Sequence, residues 1–264
     1  MNLFKIIKDI EKVDAEVYDR LDSRRGMFKS VGKWGGRIAA ASVPFMLGGM
    51  LKKAYGQTSN NNAIIEVLNY ALTLEYLENE FYAMGLDASG LIPADRKAIF
   101  QQIGEHEAAH VTFLKTAIQS LQGTPAPKPT FDFTANGTYS DVFSNYQTFL
   151  ALSQAFEDTG VRAYKGQAGN LISNNDVLTA ALQIHSVEAR HAAMVRKLRA
   201  QKGWINGKDS GGTVDAIYTG EDNTTQGGVN LTTLGYSAAA ISQAFDEPLT
   251  KEQVLPVAST FIKS

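Results

Sequence analysis

Gln122-Gly123-Thr124-Pro125-Ala126-Pro127-Lys128-Pro129-Thr130-Phe131-Asp132-Phe133-Thr134-Ala135-Asn136-Gly137-Thr138 separates two pairs of long helical segments. Proline fixes φ and removes a backbone donor, so no helix runs through this stretch. Its seventeen residues, fully extended at roughly 3.3 Å each, cover about 56 Å. A helix of about 26 residues is about 39 Å long. The stretch can therefore run the whole length of a helical bundle and return the chain to the end it left. A structureless link this long counts against an assignment unless it has such a use.

Working outward, the first helix runs from about Asn61 to Ala83, where Ile64, Leu68, Ala71, Leu72, Glu75 and Tyr82 recur at helical spacing. Pro93 opens a second that continues to Leu121, with Gly123 as its stop. A third fits Ser140 to Ala168, and a fourth runs from an Asn174/Asn175 cap to about Gln201, ended by Gly203. Short links make each pair an antiparallel hairpin, and the long crossover joins the two hairpins. Strand-like alternation is nearly absent, so the fold class is all-α.

The chain has 264 residues, 44% hydrophobic and 20% charged, with net charge −2 and no cysteine. That composition excludes a disordered chain. The missing cysteines exclude a disulfide scaffold, a thiolate zinc site and a cysteine nucleophile, and the near-neutral balance argues against a nucleic-acid partner. Residues 1–56 hold 11 Lys/Arg against 6 Asp/Glu, leaving 14 against 21 for the rest. The sequence thus divides into a basic leader (1–56), a helical bundle (57–202) and a loop-rich extension (203–264). In the extension, Leu249 to Ile262 reads as a closing helix capped by Thr250, with Trp204 and Phe245 as anchors on the bundle.

In the leader, Ser23-Arg24-Arg25-Gly26-Met27-Phe28-Lys29 precedes the uncharged run Ile38 to Leu51 and the small residues of Ala54-Tyr55-Gly56. Those fourteen uncharged residues make a helix of about 21 Å, too short to span a bilayer core of about 30 Å. The order resembles a twin-arginine export signal, which implies a periplasmic protein. The alternative is a basic helical arm on a cytoplasmic one.

The chemistry lies on the helices. Helix two carries Glu107-Ala108-Ala109-His110 and helix four carries Glu188-Ala189-Arg190-His191. A spacing of three puts Glu and His on one helical face, where each pair can hold one metal ion. Glu75 precedes Glu107 by 32 positions and Glu157 precedes Glu188 by 31, while Tyr82 and Tyr164 each follow their glutamate by seven. Alone, a Glu-x-x-His is most often a solvated face. Here the order repeats, and all four histidines, His106, His110, His185 and His191, fall in or beside the two motifs.

Ile103, Glu107, His110 and Leu114 share one stripe, as do Leu182 (or Ala181), Glu188, His191 and Val195. Four carboxylates turned into a core without partners would each cost several kcal/mol. No Arg or Lys stands on the inward stripe, whereas two divalent cations cancel the four charges. The expected metal ligands are therefore Glu75, Glu107, His110, Glu157, Glu188 and His191. Oxygen and nitrogen donors suit iron or manganese, with zinc as a competitor. Glu78, one turn from Glu75, is an alternative to it. Glu105 and His106 are expected off the stripe in solvent, Asp158 facing water, and His185 as a neighbour of the site or a core residue.

This pattern resembles the ferritin-like superfamily over Asn61 to Gln201. Leu74-Glu75-Tyr76-Leu77-Glu78, Ala155-Phe156-Glu157-Asp158 and Ala244-Phe245-Asp246-Glu247-Pro248-Leu249 resemble more closely the exported bacterial ferritin-like domain proteins and plant desiccation-related proteins. The resemblance implies Glu107 and Glu188 bridging two ions, Glu75 and Glu157 as terminal ligands, and His110 and His191 each on one ion. Tyr82 and Tyr164 become the candidate catalytic neighbours, as donors to carboxylates or redox-active groups, with a plain core role as the alternative. The implied function is a di-iron protein that oxidises Fe(II) or reduces dioxygen or peroxide. A manganese catalase-like dismutase and a non-catalytic envelope or stress protein are the alternatives. The resemblance also implies that the extension packs on the bundle, which departs from cage-forming ferritins; a homo-oligomer is left open.

Overall fold

A computed structural model describes residues 61–263. The leader, with Arg24-Arg25, the Ile38 to Leu51 run and Ala54-Tyr55-Gly56, lies outside the described residues. Four long helices are present: α1 (Asn61–Asp87), α2 (Lys97–Ser120), α3 (Tyr146–Gln167) and α4 (Asn175–Leu198). α1 packs along α2 and α3 along α4, and α1 meets α3 across the core. The bundle with its long crossover between α2 and α3 is as the sequence predicts. No described helix is long and apolar enough to cross a membrane.

The helix ends differ from expectation for local reasons. Pro93 starts a single turn, with the Arg96 N–H bonded to the Pro93 carbonyl at 2.9 Å, and α2 proper begins at Lys97. α2 stops through Gln122, whose φ is 64°, and the Gly123 N–H then bonds back to Ile118 at 2.9 Å. Gly123 is required by contact instead: a Cβ there would lie 2.8 Å from Ile65. α3 starts six residues later than Ser140, because Asn145 is its cap and accepts from the Gln147 N–H at 3.0 Å. Asn174 caps α4 by accepting from Val177 at 3.1 Å.

The crossover is packed rather than merely extended. Phe131 and Phe133 are buried in the main core. There Phe81 stacks on Phe149 at 4.9 Å between ring centroids and meets Phe133 and Phe156 edge-on at 5.3 and 5.0 Å. Each such ring contributes roughly 1.5–3 kcal/mol by leaving water. Asn69 pins the crossover's start, accepting from the Ala126 N–H at 2.6 Å.

The extension wraps the outer face of α3. It contains a two-stranded hairpin, β1 (Thr225–Gln226) with β2 (Val229–Asn230), and two short helices, α5 (Ala238–Ser242) and α6 (Lys251–Ser259). Trp204 and Phe245 are 50% and 39% exposed, so they are not its anchors. Ile205, Ile217 and Tyr218 pack on Ala155, while Leu249 and Val254 pack on Tyr70, Leu74 and Ala163. Gly166 permits this approach, since a Cβ would overlap the Leu249 carbonyl. The chain end pairs with the crossover through Asp132 N–H to Phe261 and Lys263 N–H to Thr130, both 2.8 Å.

Candidate metal centre

Each of the four helices sends one glutamate to the middle of the bundle. Glu75, Glu107, Glu157 and Glu188 are all fully buried, and His110 and His191 are nearly so. The apolar stripe holds the motifs as expected, with Ile103, Leu114, Ala181 and Val195 buried; Leu182 faces out. The donor atoms form two overlapping sets, Glu75-Glu107-His110-Glu188 and Glu107-Glu157-Glu188-His191, each gathered within 4.8 Å. Glu107 and Glu188 belong to both. His110 Nδ1 lies 3.2, 3.0 and 3.1 Å from oxygens of Glu75, Glu107 and Glu188. His191 Nδ1 lies 2.8, 3.2 and 3.9 Å from oxygens of Glu107, Glu157 and Glu188.

One ring nitrogen carries at most one proton and cannot serve three oxygens. Among the described residues, Glu107 Oε1, Glu157 Oε2, both Glu188 oxygens and His191 Nδ1 are buried without a partner in hydrogen-bonding geometry. Buried polar atoms are otherwise almost always paired. More carboxylate oxygens converge on each point than the single imidazole nitrogen there can serve, and a cation satisfies such a set. The residues present therefore fit a metal centre.

Tyrosines complete the pseudo-symmetry crosswise. Tyr82 on α1 donates to Glu157 on α3, and Tyr164 on α3 donates to Glu75 on α1 at 2.5 Å. Burial, reinforced by the carboxylate each faces, pushes both phenols well above their ordinary range, so they remain donors. Each fixes one carboxylate oxygen and leaves the other free to face the centre.

Burial and mutual repulsion shape the titration. Glu107 is pushed up to about 7 by burial and then by Glu188; Glu188 is pushed up to about 8 by burial and then by Glu75. Burial opposes charge on His191, but Glu157 and Glu107 outweigh it and raise the imidazole to about 11. These groups all bind protons more tightly folded than unfolded, so stability falls as pH rises. The carboxylate contribution is lost from about pH 4 to about 7 and 8, and the histidine contribution from about 6.5 to about 11. Metal-free protein should thus melt progressively lower from pH 5 to pH 9. Thermal melts in chelator check this; a melting point that climbs over that range contradicts it.

Other residues are placed differently from expectation. Glu78 is buried but belongs to neither donor set. Burial and then the charge of Glu188 raise it well above the usual carboxylate range, so it stays neutral. Gly160 makes room for it, since a Cβ there would stand 3.2 Å from both Glu78 and Glu188. His185 is half-buried and outside both sets. Glu105 is exposed as expected, but His106 is half-buried and its Nδ1 reaches His191 Nε2 at 2.9 Å. Asp158 does not face water: it is 2% exposed, held by Arg196 at 3.1 and 2.5 Å and by the Tyr218 hydroxyl at 2.6 Å. Among the described residues, two arginines, Arg162 and Arg196, are buried. Both are bonded to the extension or Asp158, and neither makes an ion pair with the six donor residues.

No curated protein matches the chain. A family model described as a ferritin-like domain matches residues 63–201, more than half of the sequence, from the first turn of α1 to just beyond α4. Glutamates and histidines converging from four helices joined by one long crossover agree with that match, and the chain belongs to the ferritin-like family.

Proposed function

We propose that the protein is a di-metal carboxylate oxidoreductase, most simply a di-iron one, that oxidises Fe(II) with dioxygen or peroxide. The observation that supports this is the sharing of Glu107 and Glu188 between two donor sets. Glu75 and His110 would complete one ion's ligands, and Glu157 and His191 the other's. Four carboxylates balance two divalent charges. Two iron ions held by these residues would supply the electrons for two-electron reduction of dioxygen or peroxide, with the protein fixing geometry and surroundings. The chain's own part is to hold Glu75 and Glu157 through the Tyr164 and Tyr82 hydroxyls and to keep bulk water out. The carboxylates are fully buried, so the co-reactant must be small, which favours dioxygen or peroxide. A twin-arginine route, of the kind the Arg24-Arg25 stretch resembles, suits a protein that folds around its metal before export.

The test is to load metal-free protein with two Fe(II) per chain without oxygen and then admit air or peroxide. Oxidant consumption faster than by free Fe(II), lost in Glu107→Gln/Glu188→Gln, is expected. Oxygen released from peroxide by manganese-loaded protein would instead favour the dismutase.

A further inference from the structure

Among the described residues, His191 is the one ligand candidate whose outer nitrogen is tied to another ring. His106 Nδ1 lies 2.9 Å from His191 Nε2, the two rings are within 15° of parallel, and their centroids are 5.2 Å apart. One turn back on α2, the Gln102 side-chain amide lies 2.8 Å from His106 Nε2. A short chain of polar groups thus runs from the exposed Gln102 through half-buried His106 to buried His191.

The chemistry of imidazole gives this chain a direction. His191 turns Nδ1 toward the carboxylates, and a ring that offers the Nδ1 lone pair to a cation must carry its proton on Nε2. That N–H needs an acceptor, and His106 Nδ1 is within reach. His106 then carries its own proton on Nε2 and gives it to the Gln102 amide oxygen, the two ends of that amide being interchangeable by a half-turn.

The other half of the bundle lacks the device. Four residues before His110 stands His106, but four before His191 stands Val187; eight before them stand Gln102 and Gln183. The glutamine is kept and the middle link is apolar. Among the described residues, no side chain bonds the outer nitrogen of His110, whose hydrogen-bond contacts are all through Nδ1.

We propose that His106 is a positioning residue for His191, fixing its ring orientation and its Nε2–H form, and that it makes the two ion positions unequal. The proposal rests on the di-metal reading above. His106 belongs to neither donor set and acts only through the ring it holds.

The test compares wild type, His106→Val and His106→Gln by oxygen-free Fe(II) titration, together with nitrogen NMR of imidazole-labelled, zinc-loaded protein. Wild type should take two ions and show a slowly exchanging His191 Nε2–H. His106→Val should weaken one ion by roughly 10- to 100-fold, leave the other unchanged and expose that N–H to rapid exchange. His106→Gln, which keeps an acceptor, should recover most of both properties. Unchanged binding and exchange in His106→Val, or equal weakening of both ions, overturns the proposal. A wild type that takes no metal overturns the di-metal reading itself and this inference with it, and is recognised before any variant is made.

Discussion

Adding Fe(II), Mn(II) or Zn(II) to metal-free protein is expected to raise its melting temperature by about 8–16 °C for one site held at a thousand times its dissociation constant. Binding at that excess stabilises by about 4.1 kcal/mol, and for 150–250 residues 1 kcal/mol moves the midpoint by about 2–4 °C. The double variant Glu107→Gln/Glu188→Gln should show no such rise, because those glutamates belong to both donor sets. Its metal-free form should melt no lower than metal-free wild type at pH 8. The two glutamates removed are the ones that burial and mutual repulsion push up to about 7 and 8, and His110 keeps Glu75 beside it while His191 keeps Glu157. Loss of the metal response without loss of metal-free stability separates a binding centre from a scaffold. A non-catalytic scaffold predicts no metal response even in wild type.

Arg162→Met should be the most damaging single change outside the centre. The Arg162 side chain is fully buried: Nε donates to the Glu247 carbonyl at 2.7 Å, Nη2 to Thr219 at 2.7 Å, and Nη1 to Ile217. It also faces Glu221 at 2.8 Å, and that carboxylate is pushed up to about 7 by burial even with the arginine beside it. Breaking one side of a buried pair costs about 3–5 kcal/mol, so a fall of about 6–20 °C in melting temperature is expected. Limited proteolysis should then cut within 203–250 while α1–α4 persist. Arg162→Met/Glu221→Gln should recover part of the loss, because no buried charge is left alone. A melting point within 2 °C of wild type would show that the extension is held by its apolar contacts instead.

What the sequence made legible follows from local rules. A spacing of three on a helix brings Glu107 to His110 and Glu188 to His191 whatever surrounds them, and the proline-rich crossover forces the connectivity. The crosswise tyrosine bonds were open between donor and core roles, since which glutamate each meets depends on the α1–α3 packing. Asp158 is interior because the face of α3 that carries it is covered by the extension, and the extension docks through Ile205, Ile217, Tyr218, Leu249 and Val254 rather than through its large aromatics Trp204 and Phe245. α3 is thus buried nearly all round, and its Arg162 and Thr159 are interior residues too. His106 was misread because rotation places its backbone off the inward stripe, whereas the ring is long enough to reach the neighbouring helix. That signal was available only as a histidine adjacent to Glu107.

The central claim is a shared two-ion centre, and the most direct measurement is the number of metal ions bound per chain. Protein stripped by chelator and titrated with Fe(II) in the absence of oxygen should reach two ions per chain, and Glu107→Gln/Glu188→Gln should bind fewer than about one in the same range. Wild-type protein that saturates below about one ion per chain, and holds no transition metal as purified, would contradict the account.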